Sequence, residues 1–115
     1  MGGDARMATI IAVDFDGTLC ENSFPYIGIE YAGIVDRLKN LQSRGAKLVL
    51  WTCRRDELLR VAEEWCADRG LVFDAVNENT KENIAEFGKE TRKVFAHYYL
   101  DDRNATLEEI ERDML

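Results

Sequence analysis

The sequence predicts an α/β domain with a central parallel sheet, and three observations carry that expectation. Short apolar runs at 9–13, 47–51, 71–76 and 94–100 read as buried strands. Amphipathic segments separate the first three, which implies parallel pairing through right-handed crossovers. Three of the four runs end in reactive polar residues: Asp14 and Asp16, Thr52 and Arg54, Asp101 and Asp102. In such sheets ligands bind beyond the carboxyl ends of the strands, so three polar ends on one edge make a candidate site.

The elements follow in order. The run at 9–13 is rich in β-branched residues and stops abruptly at Asp14-Phe15-Asp16-Gly17-Thr18. The stretch 19–28 holds Asn, Ser, Pro and Gly and reads as a loop. Ile34, Val35, Leu38 and Leu41 recur at helical spacing, and Gly45 ends that helix. The strand at 47–51 follows. Leu58, Leu59, Ala62, Trp65 and Cys66 give the next amphipathic face, closed by Gly70. The third strand, 71–76, is weaker. The polar segment 77–88 holds a short helix around Ile84 and Phe87, and the fourth strand lies within 94–100. Thr106 with Glu109 forms a capping box for a final helix. The order is β-α-β-α-β-(α)-β-α.

A chain of 115 residues, 46% hydrophobic, has material for one core, so a single domain is expected over 9–115, with 1–8 as a leader or tail. The formal charge of −7 argues against nucleic-acid binding, which needs a basic surface. It also repels a phosphorylated substrate, so a phosphate site here calls for a cation or local arginines. Cys20, Cys53 and Cys66 form no CxxC pair, and an odd, scattered count fits a reduced, cytoplasmic protein. No apolar run is long enough to span a membrane, and no signal peptide is found.

Asp14 and Asp16 lie two apart, with Gly17 allowing a sharp turn after them. Carboxylates gathered at one place repel, so the cluster calls for a cation or a shared proton. Oxygen ligands without imidazole or thiolate suit Mg²⁺. A carboxylate can attack phosphorus to give an aspartyl-phosphate. Its neighbour can protonate the leaving oxygen and then activate water. Thr52, the backbone amides after Asp14 and a lysine can hold the phosphoryl oxygens. Blander readings stand beside these. Asp101-Asp102 alone could be an Asx turn, and Asp14 tips it toward metal binding. Of Arg54 and Arg55, one is solvated surface charge, and Arg54 is taken as the substrate-facing one. His97 packs within or beside its strand. Trp51 and Trp65 read as core, and Cys53 as packing.

These residues give the chain a resemblance to the haloacid dehalogenase (HAD) superfamily over 9–104. Asp14-Phe15-Asp16-Gly17-Thr18 matches the first motif in full, Thr52 the second and Asp101-Asp102 the fourth. Lys93 is assigned to the third, with Lys89 and Lys81 as competitors. The resemblance implies a Rossmann-like three-layer domain and a Mg²⁺-dependent phosphatase. Asp14 would be nucleophile and metal ligand. Asp16 would be the general acid/base and lend its backbone carbonyl to the metal. Thr52 and Lys93 would hold the phosphoryl group. Asp101 would complete the metal site, with Asp102 ligating directly or through water. The short segment after Thr18 leaves room for a flap only, so a capless member is expected. The implied partner is a phosphorylated substrate, small molecule or macromolecule.

Other classes are weighed against this. A receiver-type phospho-accepting domain would carry an Asp after its middle strand, where this sequence has Thr52. A non-catalytic binding protein on a decayed scaffold is opposed by the retained Asp14, Asp16, Thr52 and Asp101. A phosphotransferase on the same scaffold stays open.

Overall fold

A computed structural model describes residues 8–78, 80, 96–101 and 106–114. Four strands form a parallel sheet: β1 (Ile10–Val13), β4 (Lys47–Leu50), β5 (Ala75–Val76) and β6 (Tyr98–Leu100), in the order β5-β4-β1-β6. The second sheet is an antiparallel hairpin of β2 (Cys20–Ser23) and β3 (Tyr26–Glu30). Three helices are described: α1 (Ile34–Ser43), α2 (Asp56–Asp68) and α3 (Leu107–Met114). None is long and apolar enough to cross a membrane.

Alternation along the central strands divides the core. Ile11, Val13, Leu48, Leu50 and Leu100 point to one face. There they pack with Val35, Leu38 and Leu41 of α1, Ala62 and Cys66 of α2, and Leu107 and Ile110 of α3. All three described helices therefore share one face. Ile10, Val49 and Ala75 are buried on the other. Arg37 ties α1 to α3 through Glu108 and Glu111. Thr106 Oγ1 accepts from the Glu109 N–H at 3.2 Å and caps α3.

Two expectations change. The stretch 19–28, expected to be a loop, contributes most of the hairpin. Asn22, Pro25 and Gly28 are turn formers and point to a loop when read along the chain. Gly28 permits a close crossing: a Cβ there would lie 2.1 Å from the Glu21 carbonyl oxygen. The third strand shrinks to Ala75–Val76. Just before it, the Asp74 carboxylate accepts from the Leu48 N–H at 2.8 Å, so a side chain replaces a backbone ladder bond. Residues 1–7 of the expected leader and the short helix around Ile84 and Phe87 lie outside the described residues.

Candidate active site

The register of the sheet builds the site. Val13 pairs with Leu50 and with Leu100, and Leu50 pairs with Val76. One residue further along each strand stands a second row: Asn77, Trp51, Asp14 and Asp101. Backbone bonds hold this row in line. Asp14 N donates to Leu100 O at 3.1 Å, Trp51 N to Val13 O at 2.9 Å and Asn77 N to Leu50 O at 2.8 Å. All four residues line one cavity of about 510 Å³, together with Thr52, Cys53 and Arg55.

Local chemistry fixes the strand ends. Gly17 takes φ 86°, the left-handed turn that carries the chain away after Asp16. The Phe15 N–H donates to Asp14 Oδ1 at 2.8 Å. Asn77, at φ 53°, accepts the Thr52 N–H on its side-chain oxygen at 2.8 Å. Asn tolerates that conformation better than most residues. Thr52 Oγ1 accepts the Arg54 N–H at 3.1 Å, and its own hydroxyl hydrogen remains a possible donor.

Asp14, Thr52 and Asp101 thus meet at one cavity. Asp16 does not line it. Its carboxylate accepts two bonds from Arg54, Nε to Oδ2 at 2.8 Å and Nη2 to Oδ1 at 2.7 Å. Arg54 is 1% exposed. It also donates to the carbonyls of Pro25, Tyr26 and Leu58. Its guanidinium carbon lies 5.0 Å from the Phe15 ring centre and 5.3 Å from that of Phe24. The bonds to Asp16 push the Arg54 pKa further up, against the opposing effect of burial.

The substrate-facing role expected of Arg54 is therefore corrected: Arg54 is turned inward and Arg55 lines the cavity instead. The reason is steric and electrostatic. Consecutive residues diverge, and the one facing Asp16 is drawn into a planar fork-to-carboxylate fit. Trp65 packs as expected, edge-on to Phe15 with ring centres 5.4 Å apart. Trp51 does not; it is 44% exposed and lines the cavity. Cys53 is exposed on the same wall. His97 sits beside β1, its Nδ1 accepting the Ile10 N–H at 2.9 Å. Lys93, Lys89, Lys81 and Asp102 lie outside the described residues. Sequence reasoning missed Asn77; the signal available was an Asn directly after an apolar run.

Among the described residues no three His, Cys, Asp or Glu side chains cluster as a metal site. Among the described residues, Asp14 and Asp101 are the carboxylates on the cavity wall. Two carboxylates with no imidazole or thiolate suit Mg²⁺, which binds through one or two carboxylates and keeps waters.

No family model matches the chain, and no curated protein matches it. The fold is similar to a solved structure described as a conserved protein coded by a locus from Bacteroides thetaiotaomicron. The two share 40% identity and a TM-score of 0.79, over 95% of this chain and 94% of that one. The chain belongs to the same family as this conserved Bacteroides protein.

Proposed function

We propose that this protein is a Mg²⁺-dependent phosphomonoester hydrolase acting through an aspartyl-phosphate on Asp14. The observation that carries this reading is the row of strand ends, which gathers Asp14 and Asp101 around one cavity with Thr52 and Arg55. Asp14 is the nucleophile. Thr52 and Arg55 donate to the phosphoryl oxygens, and Arg55 supplies positive charge within a chain of net charge −7. Asp14, Asp101, the Asp16 carbonyl and Asp102 would hold Mg²⁺, which would offset carboxylate repulsion and the phosphoryl charge. Lys93 joins the phosphoryl site on the strength of the HAD resemblance alone. Asp16 is the acid that protonates the leaving oxygen and the base that then activates water. To do so its carboxyl turns from Arg54 toward the cavity.

The same reading takes the fold as a capless, Rossmann-like three-layer HAD domain, of which the described residues supply the sheet and the helix layer on one face. The strand order and the position of the cavity at the carboxyl edge support it. The hairpin is the one element between Thr18 and α1. Three free cysteines accord with a cytoplasmic location. The Arg54 grip on Asp16 favours a second reading. With the acid/base held off the cavity, a phosphorylated Asp14 would persist, as in a phospho-accepting domain or a phosphotransferase.

The test is a screen of the purified full-length chain against nucleotides, sugar phosphates and phosphopeptides, with and without Mg²⁺. Turnover that needs Mg²⁺ is expected. Turnover surviving exhaustive chelation, or none with any phosphomonoester, would overturn the hydrolase reading.

A further inference from the structure

The indole of Trp51 is the least explained large group at the cavity. It joins neither core cluster and is 44% exposed, whereas Trp65 packs into the core. Its backbone is fixed on both sides, by Trp51 N to Val13 O at 2.9 Å and by Thr52 N to Asn77 Oδ1 at 2.8 Å. The register sets it beside Asp14 on the neighbouring strand. Adjacent strands run roughly 4.8 Å apart, so a group attached to a phosphorus at Asp14 reaches the indole without a linker. The cavity, about 510 Å³, has the size of small-molecule sites and far exceeds a phosphate group. An exposed indole on a rigid strand end beside such a cavity is a stacking surface.

We infer that Trp51 is a specificity residue, and that the cavity takes small phosphomonoesters whose alcohol carries a flat, unsaturated ring. The ring lies on Trp51 while the phosphoryl group meets Thr52 and Arg55. Arg55 is exposed, and its side chain makes no hydrogen bond or ion pair among the described residues, which leaves its donors available to an anion. The inference rests on the hydrolase reading for its reaction, but its binding test needs no turnover.

The experiment compares two non-hydrolysable probes of equal charge and similar size, benzylphosphonate and cyclohexylmethylphosphonate. Binding to the full-length chain with Mg²⁺ is followed by calorimetry and by quenching of indole fluorescence. The wild type should bind the flat probe about tenfold more tightly, within the range of one stacked ring. Trp51→Leu should bring the ratio to within about twofold, and Trp51→Phe should restore most of it. Arg55→Gln should weaken both probes by the same factor. Equal wild-type affinities, a ratio untouched by Trp51→Leu, or binding of neither probe would overturn the inference. Preference for the flat probe without hydrolysis of any ester would remove the hydrolase reading and leave this inference standing. Hydrolysis of benzyl and cyclohexylmethyl phosphates at equal kcat/KM would do the reverse.

Discussion

Arg54 and Asp16 meet fork to fork, with Nε–Oδ2 at 2.8 Å and Nη2–Oδ1 at 2.7 Å. Both carboxylate oxygens are engaged by one guanidinium, itself bonded to the Pro25 and Tyr26 carbonyls of the hairpin. The pair therefore links the motif after β1, the end of β4 and the hairpin. It holds the Asp16 carboxylate off the cavity while Asp14, two residues earlier, lines it.

A buried pair of this kind is costly to break from one side. Arg54→Met would leave Asp16, only 14% exposed at its side chain, without its partner. A loss of about 3–5 kcal/mol of unfolding free energy is expected. Arg54→Met combined with Asp16→Asn should lose less than the two single changes added, because the stranded charge is gone. Urea unfolding of the four proteins closes the cycle. A single-variant loss under about 1 kcal/mol, the range of exposed pairs, would mean that the pair does not form in solution.

The hairpin should be equally intolerant at Gly28. An added Cβ meets the Glu21 carbonyl oxygen at 2.1 Å and Ser23 Oγ at 3.0 Å. The first is backbone and cannot rotate away, so Gly28→Ala should cost about 1–3 kcal/mol. A thermal melt unchanged from wild type would show that the hairpin has room to open there.

The central sheet was legible because burial on both faces leaves continuous apolar runs, and the strand ends because Asp14, Thr52 and Asp101 interrupt those runs abruptly. The hairpin was not legible, since Asn22, Pro25 and Gly28 read as a loop and nothing local announces a two-stranded pairing. The orientations of Arg54 and Arg55 were beyond a linear reading. Both are arginines after the same strand, and only the approach of Asp16 in space selects one. The exposure of Trp51 was hidden for a related reason. A Trp ending an apolar run looks like core until the register sets it one residue past the last buried row.

The three thiols should separate cleanly. Burial pushes Cys66 up to about 12 and raises Cys20, so both stay protonated and shielded at pH 8. Cys53 is exposed on the cavity wall. Iodoacetamide should add one group to the native chain, at Cys53, and three after unfolding. Benzylphosphonate with Mg²⁺ should slow the native reaction. The shift at Cys66 also gives a sign. Between pH 9 and about 12 the folded chain keeps a proton that the unfolded chain releases. Stability from this group is therefore complete below that window and falls as pH rises through it. Rapid native labelling of Cys66 would contradict its burial.

The proposed covalent step is tested at Asp14 and Asp16 together. Asp14→Asn keeps an oxygen to accept the Phe15 N–H and leaves the backbone bond to Leu100 in place, so the fold should survive. It would remove the proposed nucleophile, and turnover should fall at least about a thousandfold. Asp16→Asn would act on both halves of the proposed reaction, by removing the proposed leaving-group acid and base for water. It also weakens the bonds to Arg54, so its rates must be read on protein shown to be folded. With a good leaving group the first step needs little acid, whereas release of phosphate still needs the base. The Asp16→Asn protein should therefore accumulate phospho-enzyme, visible as added phosphate by intact mass after rapid quench. Acid-quenched peptide mapping should place that phosphate on Asp14. Full activity in Asp14→Asn would reject covalent catalysis at this residue. A phosphate mapped to Asp101 would keep the chemistry and move it to the neighbouring strand.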